Sequence, residues 1–370
     1  MQAFRPQREA ELVELLAAPG PAFELVGGGT KRGVGRPVSA ALLDLGALAG
    51  VVDYQPGELV LTARPATTLD DIQVLLGAQR QRLGFEPPGV PGAGPAARQT
   101  LGGVLMANSS GSRRITAGSA RDHFLGFRAV NGRGEAFVGG GRVVKNVTGF
   151  DLPKVMAGSW GTLAALTEVT VRLVPAAESE STLLFAADGV SAAVDLCGQA
   201  LGSMFEVSSA AFVPGQGVAV RLEGLHSSVQ TRIAGLLAAL ERSAQALLVD
   251  EDSRRFWVQV GSAVALDRFA VLWRLSVPPQ HAARILDAIQ PAGFLLDWGG
   301  GLLWLGADRL DATGVRGSLV GGHATLVRAS EADRRTTAAF EPPPAAVAAI
   351  VQRFKSAFDP ANRLNPGRMD

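Results

Sequence analysis

Glycine is dense in three segments of this 370-residue chain, and each segment needs a backbone that can turn sharply or approach another group closely. The first segment, residues 27–33, has the sequence GGGTKRG. Its glycines let backbone N–H groups converge on an anion such as a pyrophosphate, while Thr30 adds a hydroxyl donor and Lys31 or Arg32 adds positive charge. Because Arg32 replaces the third glycine of the Rossmann fingerprint and no Gly-Lys-Ser/Thr triplet follows, the segment matches neither that motif nor the P-loop. A pyrophosphate-binding loop and an ordinary glycine-rich turn therefore remain equal interpretations of these residues alone.

The other two glycine-dense segments lie further along the chain. Residues 86–118 are rich in Gly, Pro, Ala and Ser, include TLGGVLMANSSG, and are predicted to form one long loop. Long loops inside a compact domain are uncommon and are usually functional. Gly102 and Gly103 would let the backbone approach a flat ring system or a second phosphate face, and Asn108 offers a donor and an acceptor. The third segment, GSWGTL at residues 158–163, leads directly into a predicted buried strand.

Composition excludes several classes of protein. Hydrophobic residues make up 47% of the chain and charged residues 19%, which is typical of a globular protein and not of a disordered one. Thirty-five basic residues against 34 acidic ones give a net charge of +1, which argues against a dedicated nucleic-acid binder or a polybasic membrane anchor. The single cysteine, Cys197, excludes an intramolecular disulfide, a Cys-rich zinc site and a self-contained iron–sulfur cluster, and its apolar neighbours predict a buried, inert thiol.

No run of the sequence reaches the roughly 18 apolar residues that a membrane-spanning helix needs. The first residues, MQAFRPQREAELVELL, place acids where a signal peptide would have an uninterrupted apolar core. We therefore expect a soluble, cytoplasmic protein.

The spacing of apolar residues predicts an α+β protein of two domains and a returning tail. Residues 1–175 form the first domain, with short strands and helices in alternation. Residues 176–345 form a second, smaller domain built from an antiparallel sheet and helices, in which 181–185, 217–222, 257–260 and 302–305 are predicted strands. Residues 346–370 form a helix and a tail that returns to the first domain.

The three segments and the closing FDPANRLNPGRM together resemble a known family. VGGGTKRG, TLGGVLMANSSG and KNVTGFDLPKVMAGSWGTLAALTEVTVRL, in that order, resemble the FAD-binding domain of the vanillyl-alcohol-oxidase/p-cresol-methylhydroxylase (PCMH-type) family over residues 22–175. The closing segment resembles the end of its FAD-linked 2-hydroxy-acid oxidase branch, and GSRRITAGSARDHFLG is similar to the E subunits of bacterial glycolate oxidases. The resemblance implies a PCMH-type FAD-binding domain of two α+β subdomains, followed by a cap-like domain.

The resemblance also implies which residues bind FAD. The first segment would bind the pyrophosphate, and the second, from Thr100 to Gly111, would lie along the ribityl chain and the flavin. Gly118, Gly161, Thr162 and the backbone near Val169 would complete the pocket. FAD is expected to be noncovalent, because the glycine loop contains no His or Cys, and His123 is the nearby residue that would contradict this. Asp151 and Lys154 are expected to form a structural ion pair. The implied FAD-binding residues are Gly27, Gly28, Gly29, Thr30, Lys31, Arg32, Gly33, Thr100, Gly102, Gly103, Asn108, Gly111, Gly118, Gly161, Thr162 and Val169.

The sequence assigns no catalytic residue and no metal site. Its histidines do not pair at ligand spacing, and residues 176–345 show no cluster of His, Asp or Glu of the kind a tuned base requires. Arg113 and Arg114 would attract a substrate carboxylate, offset negative charge on a reduced flavin, or belong to a solvated basic loop, and the sequence does not separate these alternatives. The four histidines are His123, His226, His281 and His323.

Three functions follow from the resemblance. The first is the FAD-binding subunit of a glycolate oxidase complex, which oxidises glycolate, or D-lactate, and passes electrons to partner subunits. Those partners would be a related FAD-linked oxidase subunit and an iron–sulfur subunit, because one cysteine cannot hold a cluster. Through them the complex would sit in the cytoplasm or peripherally at the inner membrane. The second is a non-catalytic assembly subunit that keeps the FAD fold, and the third is a stand-alone FAD oxidase of a sugar acid or lactone.

Overall fold

The computed structural model describes residues 3–92, 97–142, 150–309 and 311–370. Residues 93–96 of the predicted long loop lie outside the described residues, as do residues 143–149, which include the first five residues of the family motif KNVTGFDLPKV. Within the described residues the strands form three sheets. Two of them belong to residues 3–175, the N-terminal region, and one belongs to residues 179–340, the C-terminal region. The predicted α+β class is confirmed.

A small parallel sheet and one helix open the N-terminal region. Their bounds are β1 (Ala3–Phe4), α1 (Glu9–Ala17), β2 (Phe23–Val26) and β3 (Ala41–Asp44). The strands pair in the order β1-β3-β2, with β2 at one edge. Leu12 and Leu16 of α1 are buried with Phe23 and Leu43 in one apolar cluster, which explains the amphipathic pattern of this helix.

A six-stranded antiparallel sheet forms the rest of the N-terminal region. Its strands β4, β5, β9, β7 and β8 follow one another across the sheet, and β6 also pairs with β9. The central strand β9 has buried side chains on both faces, such as Val169 on one and Thr170 on the other. The elements are β4 (Val51–Gln55), β5 (Val60–Ala63), α2 (Leu69–Gly77), β6 (Gln81–Leu83), α3 (Leu101–Met106), α4 (Arg114–Ala117), α5 (Ala120–His123), β7 (Phe124–Asn131), β8 (Ala136–Gly140), α6 (Leu152–Met156) and β9 (Ala164–Pro175).

An eight-stranded antiparallel sheet forms the C-terminal region, with an apolar cluster on each face. Its strand order is β13-β10-β12-β11-β15-β16-β14-β17. The elements are β10 (Ser179–Phe185), α7 (Val190–Leu201), β11 (Ser209–Val213), β12 (Gly217–Gly224), α8 (His226–Leu240), β13 (Ala246–Val249), α9 (Asp250–Gly261), β14 (Val271–Ser276), α10 (Ala282–Ile289), β15 (Gly293–Asp297), β16 (Leu302–Ala307), α11 (Ala312–Gly317), β17 (His323–Arg328) and α12 (Glu331–Thr336).

The end of the chain returns to the N-terminal region after helix α13 (Ala345–Phe358). Leu364 forms a parallel bridge with Phe23 of β2, and Lys355 Nζ donates to the carbonyl oxygen of Thr162 at 2.7 Å. The guanidinium of Arg363 donates to the carbonyl oxygens of Leu16 and Ala18 at 2.6 and 3.0 Å. The last residues therefore complete the core beside the first glycine segment.

Two expectations about local structure are wrong. The segment predicted as one long loop contains α3 and α4, because Thr100 caps α3 and Leu101, Val104 and Leu105 are fully buried. Residues 257–260 are helical and belong to α9, whose first turn carries three acids that favour a helix N-terminus. A short apolar run does not by itself distinguish a strand from a buried helix segment.

Candidate functional site

Two adjoining cavities lie in the molecule, and most of the residues singled out from the sequence line one of them. The first cavity encloses about 760 Å³ between the glycine loop, the start of α3 and Trp160. The second encloses about 1480 Å³ and reaches from Asn108 and Gly111 to the C-terminal sheet. Lys31, Ala107 and Trp160 are the described residues that line both, so the cavities meet at these side chains.

The glycine loop begins where β2 ends, and close backbone contacts explain its composition. A Cβ atom on Gly28 would overlap the carbonyl oxygen of Arg98, and Gly29 has a φ of +72° that favours glycine. Arg32 pairs with the buried carboxylate of Glu24, which fixes the end of the loop. Gly28 and Gly29 therefore have to be glycine for structural reasons, and they also line the first cavity.

The start of α3 forms the opposite wall of the first cavity. Thr100 caps this helix by accepting a hydrogen bond from the backbone N–H of Gly103. A Cβ atom on Gly102 would lie 2.5 Å from Cβ of Pro65, so only glycine allows this approach. The same Thr100 hydroxyl lies 3.1 Å from the position that a Cβ on Gly27 would take. The first and second glycine segments are thus in contact.

The third glycine segment joins the first through the C-terminal tail. Asn365 Oδ1 accepts a hydrogen bond from the backbone N–H of Leu25 at 2.8 Å, and its Nδ2 donates to the carbonyl oxygen of Trp160 at 2.7 Å. Gly161 has a φ of +71°, and a Cβ there would lie 2.8 Å from Asn365 Nδ2. This asparagine, in the closing LNPG sequence, explains why the tail returns to the site.

The structure brings most of the predicted FAD-binding residues together. Asn108, Gly111 and Lys31 line the second cavity. Five of the described residues in the predicted set line neither cavity: Gly33, Thr100, Gly118, Thr162 and Val169. Those that line the first cavity are Gly27, Gly28, Gly29, Thr30, Lys31, Arg32, Gly102, Gly103 and Gly161.

Of the five residues that line neither cavity, four have a structural role, and the structure shows no role for Gly33. Gly118 ends α4 with a φ of +88°, and the Thr162 hydroxyl donates to the carbonyl oxygen of Ser159 at 2.7 Å. Val169 lies in the middle of β9 and is fully buried in the core. Thr100 is the cap of α3, and no atom lies within 4 Å of a Cβ placed on Gly33.

The second cavity contains a group of cationic and aromatic side chains that the sequence did not single out as a site. Arg114 and Arg274 each place their guanidinium carbon 4.8 Å from the ring centre of Trp298. Neither guanidinium has a carboxylate partner within 4.0 Å among the described residues. His323, at the start of β17, lines the same cavity. An arginine inside the apolar strand sequence VLWRLS was the signal that could have identified Arg274.

Burial shifts the ionisation of several groups in these walls. Desolvation lowers the pKa of Lys31 to about 8 and that of Arg274 to about 10, where the neighbouring charge of Arg114 adds to the effect. Desolvation raises the pKa of Asp297 to about 6, although hydrogen bonds from Ser112 and the Trp298 N–H oppose it. The pKa of His323 is lowered by desolvation and then by the two arginines, so this imidazole is neutral at pH 7.

Arg113 and Arg114, which the sequence did not separate, have different surroundings. Arg113 is buried in a cluster with Glu86, Glu180 and Glu223, so the solvated-loop interpretation is wrong for it. Arg113 lines neither of the two cavities, whereas Arg114 lines the second.

Other residues singled out from the sequence lie away from the cavities. His123 is buried, with Nε2 2.8 Å from the carbonyl oxygen of Ala117, and it lines neither cavity. Lys154 pairs with Asp151 at 3.0 Å, which confirms the predicted ion pair. Cys197 is buried, and burial raises the pKa of its thiol to about 12, which confirms the inert thiol. No group of three His, Cys, Asp or Glu within the described ranges could hold a metal ion.

Comparison with known proteins identifies the family. Residues 2–140 match the FAD binding domain family. The glycolate oxidase subunit GlcE of Escherichia coli (strain K12) is 33% identical over 348 residues, which cover 93% of this chain and 91% of that subunit. The chain belongs to the GlcE family of glycolate oxidase subunits. Together with the FAD binding domain match, this membership makes the chain an FAD-binding oxidoreductase.

Further comparisons give a second relative in sequence and two solved structures with the same fold. The glycolate oxidase subunit GlcD of Bacillus subtilis (strain 168) is 34% identical over 146 residues, or 39% of this chain and 29% of that subunit. Alkyldihydroxyacetonephosphate synthase superposes with a TM-score of 0.68 at 13% identity, over 98% of this chain and 76% of that one. Xylooligosaccharide oxidase from Myceliophthora thermophila C1 superposes with a TM-score of 0.67 at 14% identity, over 100% of this chain and 91% of that one. These structures share the fold.

The residues of the first cavity fit FAD. Glycines of two segments line its walls, so main chain without side chains faces the cavity, which suits a pyrophosphate and a ring held close to the main chain. These glycines are Gly27, Gly28, Gly29, Gly102 and Gly103. Lys31 supplies a half-buried, desolvated cation without a carboxylate within 4.0 Å among the described residues, which suits an anionic ligand. No helix in the described part of the GlcE-family chain is long and apolar enough to cross a membrane.

Proposed function

We propose that this chain is the FAD-binding subunit of a complex that oxidises a small 2-hydroxy acid to the 2-oxo acid. Glycolate is the first candidate substrate and D-lactate the second. The support comes from the name of the GlcE relative and from a D-lactate dehydrogenase of Archaeoglobus fulgidus, 39% identical over 98 residues, or 26% of this chain and 21% of that enzyme. The proposed FAD domain spans residues 1–175, the second domain 176–345 and the returning tail 346–370, a division that the grouping of the sheets supports.

The pair of arginines in the second cavity is the observation that carries this proposal. Arg114 comes from the N-terminal region and Arg274 from the C-terminal sheet, and both stack on Trp298. A planar guanidinium donates paired hydrogen bonds to a carboxylate, and two of them in a desolvated wall select a small anion strongly. The cavity that holds them adjoins the FAD cavity at Lys31, Ala107 and Trp160, so an anion bound there lies next to the cofactor.

Oxidation of a 2-hydroxy acid also requires removal of the hydroxyl proton, and His323 is our candidate acceptor. Its lowered pKa keeps the ring neutral at pH 7, so one ring nitrogen has a free lone pair. FAD, when bound, supplies the two-electron acceptor. The arginines orient the carboxylate, Trp298 forms an apolar wall, and the neutral histidine takes the proton. The sequence had offered no base, because His323 is distant in the chain from every other residue of this cavity wall except Thr325 and Val327.

Titration with a non-oxidisable carboxylate tests the anion site. Oxalate added to the FAD-loaded protein should perturb the flavin absorbance with a saturable curve. Arg274→Met should weaken the apparent oxalate affinity at least tenfold, because a charged hydrogen bond contributes about 1.5–3 kcal/mol. Arg121→Met is the matched control, since Arg121 is exposed and lines neither cavity. Equal oxalate affinity in wild type and Arg274→Met would remove the basis of the proposal.

Partner subunits are the second part of the proposal. A related FAD-linked oxidase subunit and an iron–sulfur subunit would receive the electrons, because Cys197 alone cannot ligate a cluster. The isolated chain should therefore oxidise glycolate much more slowly per flavin than the assembled complex. Steady-state rates with an artificial acceptor, before and after the partners are added, test this. Equal rates per flavin would favour a stand-alone oxidase. If all FAD-dependent activity were found in the partner subunits and none in this chain, a non-catalytic assembly subunit would be favoured. The cytoplasmic or peripheral membrane location stays a prediction.

A further inference from the structure

Lys31 lies where the FAD cavity meets the second cavity, although it belongs to the glycine loop. It lines both cavities together with Ala107 and Trp160. Its loop neighbour Arg32 lines the first cavity but not the second. The two basic residues of GGGTKRG therefore point to different parts of the site.

The hydrogen bonds of Lys31 hold its ammonium group in place without neutralising it. Nζ donates to Gln99 Oε1 at 2.6 Å, and Gln99 Nε2 in turn donates to the carbonyl oxygen of Pro88 at 2.7 Å. Arg368 donates to the Lys31 carbonyl oxygen at 2.7 Å, which fixes the backbone. Among the described residues no carboxylate lies within 4.0 Å of this ammonium group, whereas Arg32 pairs with Glu24.

A buried cation without a counter-ion is costly, and the lowered pKa of Lys31 reflects that cost. The charge becomes favourable when an anion occupies the adjoining space. Two parts of FAD can supply it: the pyrophosphate, which is always charged, and the flavin ring, which gains charge on reduction. The ring has to reach the second cavity if it is to accept electrons from a molecule bound there, and Lys31 lies at that junction.

We propose that the Lys31 ammonium group contacts the redox-active ring of FAD, not the pyrophosphate, and stabilises the negative charge that the ring gains on reduction. A hydride brings two electrons and one proton, so the ring carries one more negative charge after accepting it. The ammonium group stabilises that product and does not change protonation in the step. This inference rests on FAD binding and on the two cavities, and it does not depend on which substrate is oxidised.

The midpoint potential of bound FAD separates the ring contact from the pyrophosphate contact. A contact with the pyrophosphate stabilises oxidised and reduced FAD equally, so it changes affinity and leaves the potential unchanged. A contact with the ring favours the reduced form and raises the potential. The variants Lys31→Met and Lys31→Arg are titrated against a reference dye in saturating FAD. Lys154→Met serves as the control, because Lys154 is half exposed and lines neither cavity.

Lys31→Met should lower the ratio of reduced to oxidised flavin at a fixed dye potential at least tenfold, which is a shift of about 30 mV for a two-electron couple. Lys31→Arg should restore most of that ratio, and Lys154→Met should leave it unchanged. Lys31→Gln provides the same comparison if Lys31→Met fails to fold, since it removes the charge and keeps a donor toward Gln99. An unchanged potential in the folded, FAD-loaded variants overturns the proposal, whether or not FAD affinity falls.

Discussion

Arg113 of the N-terminal region donates two hydrogen bonds to the carboxylate of Glu223 in the C-terminal region, at 2.7 Å from Nε and 2.6 Å from Nη2. Glu86 and Arg221 form a second such pair at 2.7 Å, and Arg113 also lies 3.1 Å from Glu86. Burial alone would raise the pKa of Glu223, but Arg221 and Arg113 hold it well below its ordinary value. The two regions are thus joined by alternating buried charges, and this junction fixes the segment that presents Arg114 to the second cavity.

We expect Arg113→Met to destabilise the protein strongly. Removal of one partner of a buried ion pair leaves an uncompensated charge and typically costs about 3–5 kcal/mol. Urea unfolding of the FAD-saturated variant measures the change. Arg254→Met, which removes a half-exposed arginine from weak ion pairs on α9, should cost less than about 1 kcal/mol. Similar losses for both variants would contradict the role assigned to this cluster.

We expect Gly28→Val to abolish FAD binding while most of the fold remains. A side chain at Gly28 would collide with the carbonyl oxygen of Arg98, so the loop would have to leave the position in which it lines the first cavity. Flavin absorbance of the purified variant measures this. Gly33→Val is the informative comparison, because its Cβ meets no atom within 4 Å, and that variant should keep FAD. Stoichiometric FAD in Gly28→Val would show that the loop does not carry the pyrophosphate.

We expect FAD to be released by acid, because the bond to the protein is noncovalent. No His, Cys or Tyr lines the first cavity among the described residues, and His123 is held in the core by Ala117. Acid precipitation should leave the yellow colour in the supernatant. A coloured pellet would show a covalent bond, and His323, in the wall of the adjoining cavity, would then be the first residue to replace.

The sequence singled out more residues of the first cavity than of the second, and the reason is physical. GGGTKRG and the TLGG sequence of α3 need glycine because backbone approaches backbone at Gly28 and Gly102, and that need is visible in the sequence itself. No local sequence pattern identifies Arg274 and His323 as residues of one site. They reach one cavity only because β14 and β17 pair in the eight-stranded sheet, and such pairing depends on long-range packing.

The missed helix α3 shows the limit of local propensity. Two of its six residues are glycine, which favours a loop on propensity alone, yet Leu101, Val104 and Leu105 bury one face completely. Tertiary burial therefore decides the conformation of this segment. The same burial brings Gly102 against Pro65 and so gives the first cavity its wall.

The buried carboxyl group of Asp297 should make stability depend on pH. Asp297 is fully buried, accepts a hydrogen bond from Ser112 Oγ at 2.6 Å and has a pKa raised to about 6 by burial. In the unfolded chain this carboxyl group has its ordinary pKa of 3.8. The folded protein therefore keeps a proton on Asp297 over a pH range in which the unfolded chain has lost it. Its contribution to stability is fully present below pH 3.8 and is lost as the pH rises through about 6.

Asp297→Asn removes this titration and keeps an oxygen that can accept from Ser112. The free energy of unfolding of Asp297→Asn relative to wild type should therefore increase between pH 4.5 and 7.5 by about 2 kcal/mol, the part of a shift of roughly two pKa units that falls in this range. Urea unfolding at both pH values measures the difference. Asp195→Asn, the same change at an exposed residue of α7, should show a pH-independent difference from wild type. If the advantage of Asp297→Asn were instead greatest at pH 4.5, the carboxyl group would be stabilised in its ionised form, and burial would not be the dominant influence on it.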